Sequence, residues 1–126
     1  NYKEKKIILS AEKNITINGR YMPIKRSLIN LIDNALSYGK RAEILMKKTM
    51  NKIIIIIDDD GPGIPKSEYD NVFKPFYRID KSRSQNKSGV GLGLSITNDI
   101  IRSHGGDISL GESPFNGLRV KVSLPL

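Results

Sequence analysis

The chain has 126 residues, 38% hydrophobic and 27% charged, which describes a single domain with enough apolar material for a core. It has no cysteine, which excludes a disulfide framework and a thiolate metal centre, and no apolar run comes near the length that crosses a bilayer. A net charge of +8 leaves nucleic acid, an anionic membrane surface or a phosphorylated ligand as candidate partners, and the placement of the charge must choose among them.

In chain order, residues 6–10 and 14–18 read as two short strands, the second closed by the turn pair Asn18-Gly19. Over residues 24–38, Ile24, Leu28, Leu31, Ile32 and Ala35 recur at three- and four-residue steps, the pattern of a helix docked on a sheet. Asn30 and Asn34 share a neighbouring stripe of that helix. Asn is a poor interior helix former, so the pair either satisfies loop carbonyls or faces a ligand. Pro23 is tolerated in the first turn and Gly39 stops the helix. Residues 42–48 and 52–58 form a hairpin whose second arm holds five consecutive isoleucines, which predicts a central strand covered on both faces. Residues 66–71 read as a short helix. Residues 92–103 regain helical spacing through Leu92, Ile96 and Ile100, ended by Gly105-Gly106. Residues 107–110 and 118–124 close the chain as a hairpin, with Leu118, Val120, Val122 and Leu124 in alternation. The predicted fold is an α+β two-layer sandwich, a mixed, mostly antiparallel sheet packed on one face by about three helices. With no repeat and no linker, residues 1–126 form one domain.

Three loops carry chemistry. Asp59-Asp60-Gly61-Pro62-Gly63-Ile64 follows the strongest strand: its glycines let backbone approach a flat ligand, and a carboxylate at the strand end accepts a hydrogen bond from an amino group. The same residues also make an ordinary polar turn. Gly89-Val90-Gly91-Leu92-Gly93-Leu94 runs into a helix N-terminus and offers amide donors to phosphate, but its spacing is neither a dinucleotide fingerprint nor a P-loop. Between them, Phe73 and Phe76 serve as core anchors. Arg78, Lys81, Arg83 and Lys87 follow among polar residues, in the manner of a mobile basic lid or a solvated loop.

Together, Asn30-x-x-x-Asn34-Ala35, Asp59-x-Gly61-x-Gly63-Ile64, Phe73-x-Pro75-Phe76 and Gly89-x-Gly91-Leu92-Gly93-Leu94 resemble, in order, the N, G1, F and G2 boxes of sensor histidine kinases. Arg78-x-Asp80-x-x-Arg83, His104-x-Gly106, Tyr38-Gly39 and Leu110-Gly111 extend the resemblance over nearly the whole chain, closest to the EnvZ-type osmosensor kinases. The resemblance implies the Bergerat ATP-binding sandwich shared with gyrase and the Hsp90 chaperones. It also implies ATP and Mg²⁺ as cofactors, with Asn34 on the metal, Asn30 in support, and Asp59 on the adenine amino group. Gly61 and Gly63 would shape the adenine pocket, and Tyr38, Ile64, Phe76 and Tyr77 would also bind the nucleotide. Gly89, Gly91 and Gly93 would approach the phosphates, with Val90, Leu92 and Leu94 among the cofactor-binding residues, and Arg78 and Arg83 would reach the γ-phosphate from a flexible lid at 74–90. Where many relatives carry a basic residue this chain has Ser37, so that phosphate contact is lost or comes from Lys40 or Arg41.

The activity so implied is phosphoryl transfer to a histidine on a dimerising helical hairpin N-terminal to this domain, in service of a response regulator. The setting is the cytoplasmic side of a bacterial inner-membrane sensor, with the membrane reached only through the missing N-terminal part. His104, the sole histidine, reads as a packing residue and not as the acceptor. An ATPase or anti-sigma-like kinase of the same superfamily is the alternative. Its catalytic Glu would stand four residues before Asn34, where this chain has Asn30, an amide that cannot act as a base. A nucleic-acid module is disfavoured because the cations are not interleaved with aromatics.

Overall fold

Alternation of buried and exposed side chains builds the sheet. The computed structural model describes residues 6–11, 21–75 and 93–125. Five strands, β1 (Lys6–Ala11), β2 (Arg41–Lys48), β3 (Lys52–Asp59), β4 (Asp107–Glu112) and β5 (Leu118–Pro125), form one sheet in the order β1-β2-β3-β5-β4. β1 runs parallel to β2, and every other neighbouring pair is antiparallel. The sheet is therefore mixed and mostly antiparallel, as expected. The stretch predicted as a strand at 14–18 and its Asn18-Gly19 turn lie outside the described residues.

β3 is central, hydrogen-bonded to β2 on one side and β5 on the other. Its coverage differs from the expectation. Ile53, Ile55 and Ile57 are at most 1% exposed, whereas Ile54 and Ile56 are only half-buried. The helix at Tyr21–Tyr38 packs on the first set and the helix at Gly93–Ser103 joins the same core through Ile101, so a run that reads as two-sided burial is one-sided, with isoleucine kept on the second face by β propensity and cross-strand contact. Leu118, Val120, Val122 and Leu124 of β5 are buried in the strict alternation their spacing predicts.

Helix α1 (Tyr21–Tyr38) buries Ile24, Leu31, Ala35 and Leu36 against the sheet, with Leu28 and Ile32 packed at the margin. Ser27 lies inside this stripe, fully buried, because its Oγ donates to the Pro23 carbonyl at 3.0 Å and so needs no water. Gly39 does end the helix, but not by left-handed backbone; the only glycines with positive φ among the described residues are Gly63 and Gly105. A Cβ at Gly39 would stand 2.5 Å from Asp60 Oδ1 and 2.9 Å from the Gly61 nitrogen, so glycine is required by the loop that crosses it.

Residues 66–71 do not form one short helix. Two 3₁₀ turns, Lys66–Glu68 and Asn71–Phe73, occupy the region, the second anchored by buried Val72. Helix α2 (Gly93–Ser103) packs on α1 and on the second of these turns. Its buried face is Thr97 and Ile101 with Leu94 partly covered, whereas Ile96, expected inside, is 47% exposed. Spacing alone could not choose between two apolar stripes one residue apart; the position of α1 does. The helix ends in a Schellman motif, with Gly105 at φ 78° and Gly106 N–H donating to the Ile101 carbonyl at 2.9 Å.

Candidate functional site

Three consecutive carboxylates close β3, and each is captured by a different part of the chain. Strand alternation turns Asp58 to the open face, where Arg119, its cross-strand partner, donates Nε and a terminal nitrogen to the two carboxylate oxygens at 2.7 and 2.9 Å. This pairing raises the pKa of Arg119.

Asp59 turns the other way, to the helix-bearing face, and is 4% exposed. Its Oδ1 accepts the N–H of Gly61 at 2.9 Å and of Leu118 at 3.0 Å, while its main-chain carbonyl accepts the Ser113 hydroxyl at 2.5 Å. Among the described residues no group donates to Oδ2. Burial pushes the Asp59 carboxyl up from the ordinary carboxylate range, the two amides pull it back in part, and the charges of Asp60 and Asp58 push it up again.

Asp60 is exposed and structural. Its Oδ1 accepts the N–H groups of Lys40 at 2.7 Å and Arg41 at 3.0 Å, which ties the loop to the chain leaving α1. The loop at 60–64 is thus held from two sides, by the end of α1 and by the β4–β5 turn. Gly63 adopts φ 74°, which only glycine takes without strain, and Ile64 packs onto the core.

The expected site residues divide accordingly. Asp59, Gly61, Gly63 and Ile64 lie together at the end of β3 beside the C-terminal end of α1, where Tyr38 is the last helical residue. Asn34 is half-buried one helical turn before Tyr38, and Asn30 is exposed a turn earlier. Gly93 opens α2 and Leu94 packs on the core. Phe76, Tyr77, Arg78, Arg83, Gly89, Val90, Gly91 and Leu92, and all of the lid beyond Pro75, lie outside the described residues.

Of the two cations considered as replacements at Ser37, Arg41 is committed elsewhere. Neighbouring Ala42 is fully buried on the helix side, so Arg41 projects to the opposite face, where it pairs with Glu43 and lies 4.6 Å from the centroid of the Phe115 ring. Lys40 is exposed beside Asp60. The Ser37 hydroxyl itself donates to the Asp33 carbonyl at 2.8 Å.

Ser113 and Gly117 belong to the site and are not legible as such in the sequence. Ser113 Oγ accepts the N–H groups of Phe115 at 3.2 Å and Gly117 at 3.0 Å while donating to Asp59. A Cβ at Gly117 would fall 2.3 Å from the Asp59 carbonyl oxygen and 2.4 Å from its Oδ1. The Asn116-Gly117 pair marks a turn, and Asn116 does take φ 65°, but no local signal says what the turn rests on.

Residues 19–126 match the family described as histidine kinase-, DNA gyrase B-, and HSP90-like ATPase. Sensor histidine kinase GtrS of Pseudomonas aeruginosa is 39% identical over 107 residues, covering 85% of this chain and 22% of its own length. Sensor histidine kinase CpxA of Escherichia coli is 35% identical over 124 residues, 90% of this chain and 27% of its own. The chain thus spans about a quarter of the curated relatives it matches. Among solved structures, the mycobacterial sensor histidine kinase MprB superposes with a TM-score of 0.83 at 24% identity over 98% of this chain and 83% of that one, a likeness of fold. The ATP binding domain of PrrB from Mycobacterium tuberculosis gives 0.72 at 28% identity over 94% and 79%. With the family model matching most of its length, the chain belongs to the histidine kinase-, DNA gyrase B- and HSP90-like ATPase family.

Proposed function

We propose that this domain binds ATP with Mg²⁺ and passes the γ-phosphoryl group to a histidine on a helical hairpin elsewhere in a sensor kinase. The observation that carries the reading is Asp59: a buried carboxylate whose Oδ1 is fixed by two backbone amides, with Oδ2 left to accept from the adenine amino group. Gly61 and Gly63 keep the pocket floor free of side chains. Asn34, with Asn30 in support, would offer its amide oxygen to a Mg²⁺ ion held with the triphosphate. Among the described residues no group of three or more Asp, Glu, His or Cys side chains is placed to hold a metal ion, so a divalent cation here would rest on phosphate oxygens with one protein amide, a donor set that suits Mg²⁺. When bound, the ion neutralises charge on the phosphates, and the chain's own part is to orient them and exclude water. Arg78 and Arg83 of the lid add cationic contacts to the γ-phosphate.

A kinase is favoured over a gyrase-like ATPase because Asn30 cannot activate water, and because GtrS and CpxA are sensor histidine kinases. The acceptor hairpin, as part of a homodimer, and a response regulator are the partners of this reading, and its setting is the cytoplasmic side of a membrane-anchored sensor. His104 is not the acceptor: it lies at the end of α2 with Nδ1 donating to the Ile100 carbonyl at 2.8 Å. Incubation with radiolabelled ATP tests the proposal. Acid-labile label should appear only when a sensor-kinase hairpin is supplied, joined or in trans. Label on this domain alone that vanishes with His104→Gln would overturn it.

A further inference from the structure

We infer that Ser113, on the turn between β4 and β5, is a positioning residue that sets the selectivity of the site for the purine's 6-amino group. The inference rests on Asp59 as the adenine acceptor and extends it to a residue that touches no nucleotide. Ser113 is 6% exposed, and its hydroxyl uses its whole bonding capacity: it donates to the Asp59 carbonyl at 2.5 Å and accepts the N–H groups of Phe115 and Gly117. The two accepted bonds fold residues 113–117 into a tight turn. The donated bond clamps that turn onto the backbone of Asp59, and the Leu118 N–H just beyond the turn then reaches Asp59 Oδ1 at 3.0 Å. One hydroxyl therefore fixes both the main chain of Asp59 and the donor that orients its carboxylate.

Gly117 makes the contact possible, because any side chain there would overlap the Asp59 carbonyl and Oδ1. The bond spans 54 residues of sequence and joins the last residue of β3 to the turn between β4 and β5, at the end of the sheet where the nucleotide loop departs. Without the Ser113 hydroxyl, Asp59 keeps its Gly61 bond but loses the support that aims it, so Oδ2 need no longer face one point. Hydrogen bonds to a buried charged acceptor depend steeply on direction, so the loss falls on ligands that use that acceptor.

Equilibrium binding of two non-hydrolysable triphosphates, one carrying adenine and one carrying purine without the 6-amino group, separates aim from stability. Wild type should prefer adenine by roughly ten- to a hundredfold, the worth of one bond to a charged group. In Ser113→Ala that ratio should fall to about threefold or less, with the purine analogue bound much as before. Ser113→Thr, which keeps the hydroxyl, should restore the ratio. Gly117→Ala should lower it with the hydroxyl intact, by displacing the carboxylate. If Ser113→Ala does not fold, Ser113→Cys, a weaker donor of the same shape, makes the same comparison. An unchanged ratio in a folded Ser113 variant, even with both ligands weakened equally, would overturn the positioning role. No discrimination by wild type would instead overturn Asp59 as the adenine acceptor, and this inference with it.

Discussion

The two faces of β3 use the same residue types to opposite ends. Toward the helices stand Ile53, Ile55, Ile57 and then Asp59; toward the open face stand Ile54, Ile56 and then Asp58. On the covered side the isoleucines are sealed and the carboxylate is buried among backbone donors. On the open side the isoleucines are half-exposed and the carboxylate meets a partly exposed guanidinium. What differs is the layer above the strand and the donors it supplies: Asp58, itself 7% exposed, is bound at both oxygens by a side chain, whereas Asp59 is held at Oδ1 by fixed backbone amides and receives no donor at Oδ2 among the described residues.

The largest effect that sharpens this comparison is on stability. Ile55→Ala should cost about 2–5 kcal/mol, the range for a sealed isoleucine, and Ile56→Ala about 1 kcal/mol, since much of its side chain already meets solvent. Denaturant titration of both variants checks it, and equal losses would mean that the open face is covered in solution.

Next in size is Asp59→Asn. Its amide oxygen can still accept from Gly61 and Leu118, so the fold should persist, while the amide nitrogen replaces the acceptor offered to adenine; ATP binding should weaken by about 1.5–3 kcal/mol. The pH dependence has a definite sign. Burial raises the folded-state pKa of Asp59 above its unfolded value of about 4, so the stability it contributes is present below that value and lost as pH rises through the folded pKa. The melting temperature of Asp59→Asn relative to wild type should therefore climb as pH rises above about 4. A difference that shrinks over this range would mean that hydrogen bonding outweighs desolvation at the site.

The smallest effects lie at the flanking carboxylates. Asp60→Ala removes the two bonds to Lys40 and Arg41 and should cost about 1–2 kcal/mol of stability. Asp58→Asn weakens a pair whose guanidinium is 41% exposed and should cost about 1 kcal/mol or less, with a visible salt dependence. Thermal unfolding at low and high salt ranks the two. A larger loss of ATP affinity in Asp60→Asn than in Asp59→Asn would shift the nucleotide contact by one residue.

The strands β2, β3 and β5, helix α1 with its apolar stripe, the α+β class and the order of the family motifs were legible in the sequence, because these depend on local periodicity and on glycine and carboxylate spacing. The sequence also singled out Asp59 from its position at the end of an apolar strand. Only the tertiary structure decided which face of the isoleucine run is sealed, which stripe of α2 points inward, why Gly39 must be glycine, and that Arg41 turns from the site to Glu43 and Phe115. It alone brought Ser113 to Asp59 across 54 residues, since a contact between distant segments leaves no periodic trace in either of them. Burial and hydrogen-bond partners come from whatever packs against a segment, and no segment encodes its neighbour.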